Sequence, residues 1–379
     1  MGIMNLRILV LALCAFLPLG FSCTDFLVKT ADGALINGRS LEFGTPLPGQ
    51  IRIFPRGERR TSEAPGGADG VQWTSRYGFA AATSLMPDCV VDGMNEAGLS
   101  FGALWLPGTQ YQTIDPEDMS SALDFVDMGC WILGQFASVA EVKEGLKNVR
   151  IWGHPVQGMS GIPPLHLALH DAKGKSLVVE FVKGEMKIYD NPNGVLTNYP
   201  TFDWQIVNLQ NYLTLSPVNA PAINWNGNQI GATGQGSGLF GIPGDWTPPS
   251  RFVRTTALLR FAKPAENALE GVNLAEHLLN SVDIPLGDIR EKKNSFAGDY
   301  TQWAVIKDLT NFVFYFRSYK DLALKFINLR KINFNQASAG SGIPIDTAKG
   351  YFDLTPLLKT NRSTVDSSIL NNGPSEIFH

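Results

Sequence analysis

Basic clusters are missing from this sequence. Its 31 Lys and Arg face 35 Asp and Glu, a formal net charge of −4. Nothing in it supplies the concentrated positive surface that a phosphate backbone needs, so no nucleic-acid partner is expected. Long apolar runs are also missing: no segment approaches the ~20 residues of a membrane-spanning helix. No Gly-x-Ser-x-Gly elbow marks a serine hydrolase. Gly234–Gly238 spaces its glycines every second residue but lacks the lysine of a phosphate loop, so it reads as a turn. No period of 20–50 residues repeats. His166 and His170 share one strand face, so a metal is geometrically possible, but no third ligand or carboxylate is obviously placed to complete a site. They read as structural histidines, and neither a metal nor a cofactor is expected.

Cysteine is scarce, with four in 379 residues, and the first two frame the opening of the chain. Arg7, the apolar run from Ile8 to Phe16, and the small residues Gly20 and Ser22 form the three parts of a secretory signal peptide. A cut after Ser22 makes Cys23 the first residue of an exported, periplasmic or secreted protein. The same boundary has a second reading, a lipoprotein whose Cys23 is lipidated, although Gly20 stands where such signals prefer Leu. Cys14 leaves with the leader. Cys89 and Cys130 could form a disulfide or serve as small buried apolar residues, and both readings stay open. Residues 1–22 are therefore the leader, 23–340 the main domain, and 341–379 a partly loose extension.

An apolar content of 44% allows a sizeable core. Most of the chain reads as strands. Cys23–Thr30 and Ala34–Arg39 flank a hairpin turn at Ala31-Asp32-Gly33. Val71–Thr83 and Cys89–Leu106 follow, with turns at Asp92-Gly93 and Glu96-Ala97-Gly98. Leu165–His170, Ser176–Phe181 and Met186–Asp190 form a meander, and Val195–Thr197 is a short strand. Gln302–Asp308, Asn311–Arg317 and Ala323–Leu329 close the pattern. Helices are expected over Asp118–Phe136, Ser138–Val149, Pro249–Phe261 and Asn273–Ser281, with Ser138 and Glu141 as a capping box. Strands, two helices, strands, two helices and strands suit antiparallel sheets with helices packed outside.

An N-terminal cysteine carries a nucleophile and a base in one residue. Its α-amine has a reference pKa of about 7.7–8.0 and its thiol one of about 8.5, so the amine can take the thiol proton. The hairpin at Asp32-Gly33 folds Arg39 back towards Cys23, placing a cation near the thiolate and Glu42 near the amine. An ordinary surface ion pair is the plainer alternative for Arg39 and Glu42.

Several ordered segments carry a resemblance. Cys23-Thr24 is followed by Asn37-Gly38-Arg39. Asp92-Gly93-Met94-Asn95-Glu96 continues through Gly98-Leu99 to Leu104-Trp105. Then come the run from Val195 through Thr197-Asn198-Tyr199-Pro200 to Trp204, the Gly234–Gly238 turn, and the run from Gly244 through Pro248-Pro249-Ser250-Arg251 to Phe252. From Cys23 to about Phe334 the chain resembles the choloylglycine hydrolases, which include conjugated bile acid hydrolases and penicillin V acylases. The resemblance implies an α+β fold, the four-layer αββα sandwich of N-terminal nucleophile hydrolases. It implies an enzyme that hydrolyses linear amides through Cys23 and an acyl thioester, on a small-molecule amide with a bulky apolar acyl group. Arg39 would favour the thiolate, Asn198 and the backbone N–H of Trp105 would form the oxyanion hole, and Arg251 would complete the polar cluster. Glu42 stands where relatives usually have an Asp that contacts the α-amine, and Trp105 where many have Asn. The second departure favours penicillin V or an acyl homoserine lactone over a bile salt. Trp105 and Phe101 could shape the acyl pocket, or be core. Relatives are often homotetramers. An inactive exported binding protein is the alternative function.

Overall fold

The computed structural model describes residues 22–86, 88–156, 159, 161–336 and 342–346. The leader and most of the C-terminal extension lie outside these residues. Two large antiparallel sheets dominate. The six-stranded sheet runs Val195–Leu196, Cys23–Lys29, Leu35–Phe43, Tyr300–Asp308, Val313–Ser318 and Asp321–Asn328. The eight-stranded sheet runs Glu185–Asp190, Ser176–Val182, Leu165–His170, Ser100–Trp105, Val90–Asn95, Phe79–Thr83, Gln50–Phe54 and Gly342–Pro344. Helices Pro248–Phe261 and Ala268–Asn280 cover the first sheet, and helix Met128–Gln135 covers the second. The result is the expected α+β sandwich of four layers.

The hairpin at the start of the chain forms as its sequence dictates. Gly33 adopts φ 91°, which costs a residue without a Cβ nothing, and Asp32 Oδ1 accepts the Ala34 N–H at 3.1 Å. The two strands pair Cys23 with Leu41 and Asp25 with Arg39. Alternation then puts Cys23, Asp25 and Arg39 on the face turned to the second sheet. Thr24, Ser40 and Glu42 lie on the face turned to the helices.

Other elements depart from expectation for identifiable reasons. Asp92-Gly93 is not a turn but the middle of a buried strand, where a Cβ on Gly93 would fall 2.5 Å from Leu133 Cδ1. The helix expected over Asp118–Phe136 is divided: Ala122–Asp124 pairs in parallel with Arg150–Trp152, and only Met128–Gln135 is α-helical. Burial of Ala122 and Leu123 in that pairing outweighs the helical spacing. The last helix begins earlier, at Ala268, capped by Asn267 Oδ1 on the Glu270 N–H at 3.1 Å. Gly271 hid this start, and it is there for space, since a Cβ would meet Thr30 Cγ2 at 2.7 Å. The Ser138 cap holds, its hydroxyl accepting from the Glu141 N–H. Cys89 and Cys130 are both free and buried, so the disulfide is not formed and the small-apolar reading stands.

Candidate active site

The end of the first strand collects polar groups that are far apart in sequence. Arg39, from the paired strand, reaches back so that Nη2 lies 3.7 Å from Cys23 Sγ, and the same nitrogen donates to the Ala103 carbonyl at 2.6 Å. Asp92 fixes the other end of the guanidinium, with Oδ2 3.4 Å from Arg39 Nη1, and also pairs with the buried Lys307. Sequence reasoning missed Asp92 and Lys307 as the supports of Arg39. A carboxylate inside the apolar run Cys89–Met94 was the available signal.

Asn198 follows the short edge strand Val195–Leu196. Its Oδ1 accepts the Cys23 N–H at 2.6 Å, and its Nδ2 donates to the Trp105 carbonyl at 2.7 Å. Trp105 pairs with Leu165, and the next residue, Leu106, donates to Pro164. That pattern turns the Trp105 C=O and N–H together towards the Asn198 edge. The Trp105 ring meets Phe43 edge-to-face at 6.0 Å. Arg251, in the first turn of helix Pro248–Phe261, ties the cluster together. Its Nη1 donates to the Cys23 carbonyl and to Thr24 Oγ1, both at 2.6 Å, and its Nη2 donates to Asn198 Oδ1 at 2.8 Å. The Trp246 carbonyl anchors Nε at 2.9 Å.

Glu42 is buried and accepts the Thr301 hydroxyl at 2.8 Å. Burial pushes its carboxyl up to about 8, against the opposing pull of Arg251. Burial also pushes the Cys23 thiol up. Arg39 opposes this most, the Glu42 carboxyl adds to the rise, and the Glu42 backbone N–H and Arg251 pull it down. In this structure Ser22 is still joined to Cys23, so the nitrogen held by Asn198 is a peptide N–H.

The structure thus brings together Cys23, Arg39, Glu42, Asn198, Arg251 and Trp105. Phe101 is a correction: its side chain faces away from the first sheet, buried against helix Met128–Gln135, where a Cβ on Gly129 would touch its ring at 3.1 Å. It is core and not pocket wall. The two histidines also differ from expectation, because each has a carboxylate. His166 Nδ1 lies 3.1 Å from Glu180 Oε1, and His170 Nε2 lies 2.6 Å from Asp25 Oδ1. Among the described residues no group of three potential ligands could hold a metal ion, and no helix is long and apolar enough to cross a membrane.

Comparison with known proteins places this geometry. Residues 23–342 match the model of the linear amide C–N hydrolases, choloylglycine hydrolase family. A bile salt hydrolase/transferase of Clostridium perfringens is 33% identical, over 82% of this chain and 93% of that protein. A penicillin V acylase of Pectobacterium atrosepticum is 26% identical, over 82% of this chain and 81% of its own. The crystal structure of a C. perfringens conjugated bile acid hydrolase mutant superimposes with TM-score 0.77 at 29% identity, covering 88% of this chain and 99% of that one. The chain therefore belongs to the choloylglycine hydrolase family of linear amide C–N hydrolases.

Proposed function

We propose that the mature protein begins at Cys23 and hydrolyses an N-acyl amide with a bulky apolar acyl group, outside the cytoplasm, by way of an acyl thioester. The observation that carries this reading is the convergence on Cys23: Arg39 at 3.7 Å from its sulfur, Asn198 on its nitrogen and Arg251 on its carbonyl. The family match also starts at Cys23.

The steps follow from these groups. Cleavage after Ser22 frees the α-amine of Cys23, separated from its own thiol only by Cα and Cβ. The amine takes the thiol proton, and Arg39 stabilises the thiolate. The sulfur attacks the amide carbon, and the Asn198 amide with the Trp105 N–H receives the developing oxyanion. The α-ammonium returns its proton to the departing nitrogen, which leaves as the free amine. Water, deprotonated by the same amine, opens the thioester and releases the acid. Phe43 and Trp105 supply an apolar wall beside Asn198, suited to an aromatic or long acyl group. Bile salts, penicillin V and acyl homoserine lactones all fit that description, and the lean towards the latter two rests on Trp105.

The test is amine release from penicillin V, glycocholate and a long-chain acyl homoserine lactone by protein whose mature mass has been measured. We expect release from at least one and its loss in Cys23→Ala. A mass showing lipidated Cys23, or residues kept before it, removes the amine base and leaves the anchored or binding-protein reading. Folded, correctly cut protein that releases nothing from all three sinks the proposed substrate class.

A further inference from the structure

Asp299 belongs to no role described so far, yet it sits against the bond that maturation must break. It immediately precedes the strand Tyr300–Asp308, whose Thr301 pairs with Glu42, so Asp299 lies two residues from the Glu42 partner and on its face of the sheet. Its Oδ1 is beside Gly44, where a Cβ would come within 3.4 Å. The Ser22 hydroxyl and the Arg251 guanidinium are its polar neighbours, with Glu291 the other nearby charge. Ser22 is 6% exposed and Asp299 3% exposed, so both are shielded from bulk solvent.

A count of hydrogen bonds shows what this arrangement lacks. As a peptide nitrogen, Cys23 N has one hydrogen, and Asn198 Oδ1 accepts it. Hydrolysis of the Ser22–Cys23 bond adds one water: the hydroxyl joins the Ser22 carbonyl, and the nitrogen becomes an ammonium with three hydrogens. Two new donors then need acceptors in a buried place. Among the described residues, Glu42 Oε2 and Asp299 Oδ2 are buried carboxylate oxygens without a hydrogen-bond donor. Both lie on the helix-facing side of the sheet, beside Arg251. Buried polar oxygens left unpaired are rare, and each is destabilising until it finds a donor.

We propose that Asp299 is the second acid of the mature site: when Ser22 departs, its carboxylate turns from the Ser22 hydroxyl to the α-ammonium of Cys23. With Asn198 and Glu42 it gives that ammonium three acceptors and fixes the amine against the thiol. This rests on the reading of Cys23 as an N-terminal nucleophile. It also answers a difficulty in that reading, since Glu42 is one methylene longer than the acid relatives usually place there. Burial pushes the Asp299 carboxyl up to about 7, while Arg251 and Ser22 hold it down, so a nearby ammonium would keep it ionised.

The test uses the mature protein labelled with 13C-cysteine. Only Cys23, Cys89 and Cys130 then give signals, and the Cys23 Cα shift follows its own amine. An anionic neighbour raises an ammonium pKa, so Asp299→Asn should lower the amine midpoint by about one pH unit. Asp299→Glu should leave it near wild type. If the asparagine variant does not fold, Asp299→Ser, smaller and also neutral, should give the same shift. An unshifted midpoint in the neutral variant overturns the proposal, even if its activity or melting temperature has fallen. The titration needs no substrate. A wild type inactive on every amide would sink the amidase reading and leave this one standing or falling by itself.

Discussion

Two buried polar clusters lie side by side between the same two sheets, and they are finished to different degrees. Around Asp25 every group is paired. Asp25 Oδ1 meets His170 Nε2 at 2.6 Å, His170 Nδ1 meets Ser176 Oγ at 2.7 Å, and Asn37 bridges Asp25 to Ser100, accepting the Ser100 hydroxyl at 2.6 Å. Around Cys23, by contrast, Arg39 Nε, Glu42 Oε2 and Asp299 Oδ2 have no hydrogen-bond partner among the described residues. A satisfied network fixes the spacing of two sheets. An unsatisfied one is a place where another molecule, or a newly made amine, completes the bonding. The difference separates architecture from chemistry within a single strand, since Cys23 and Asp25 are two residues apart on one face.

The comparison breaks most sharply at Asp25. Asp25→Ala leaves His170 Nε2 without its partner in a dry interior, while Asn37 keeps the Phe26 carbonyl, and a buried polar group left unsatisfied typically costs about 1–3 kcal/mol. Urea unfolding should show that loss. Amide hydrolysis per folded molecule should stay within a few-fold of wild type, because Asp25, although opposite Arg39 in the hairpin, is bonded to His170 and Asn37 and not to Arg39 or Cys23. A variant that unfolds normally but has lost turnover would merge the two clusters into one.

Asn198→Ala acts on the other side. In the proposed mechanism it removes a side-chain donor to the oxyanion, and the loss of one such donor typically costs about 10²–10³ in kcat. The same variant strips Arg251 Nη2 of an acceptor, so its stability must be measured alongside. A fall in kcat far beyond any change in unfolding free energy identifies the chemical role. Equal losses in both would return Asn198 to architecture.

The sequence made this division only partly legible. The hairpin at Asp32-Gly33, the Leu165–Asp190 meander and the Ser138 cap follow from local rules, because turn chemistry and alternation act over a few residues. Arg39 beside Cys23 was readable for the same reason, being a single hairpin. Asn198 and Arg251 came from the resemblance, since sequence separations of 175 and 228 residues leave no local trace. Asp92 was read as a turn residue because Asp-Gly usually is one. Only the first sheet, by supplying Lys307 and Arg39 as partners, makes a carboxylate tolerable in that strand of the second. Asp299 and Thr301 had no signal, because their meaning depends on the strand that pairs with Glu42.

Glu42 offers the cleanest way to sharpen the comparison. Its folded-state pKa of about 8 lies above the ordinary value of 4.5, so the folded protein binds a proton there that the unfolded chain releases. The sign follows: this group stabilises the fold most below pH ~4.5 and loses that contribution as pH rises to about 8. The slope approaches about 1.4 kcal/mol per pH unit for one proton. Glu42→Gln keeps the shape and cannot ionise, so the gap between variant and wild type should widen in the variant's favour from pH 5 to pH 8. The measurement belongs on the uncut chain, with Ser22 still attached, where no ammonium compensates the charge. In the mature protein the gap should shrink, since the α-ammonium would hold Glu42 ionised and lower its pKa. Identical pH dependence in the two forms would mean that Glu42 never meets the amine, and the cluster around Cys23 would then depend on another acid.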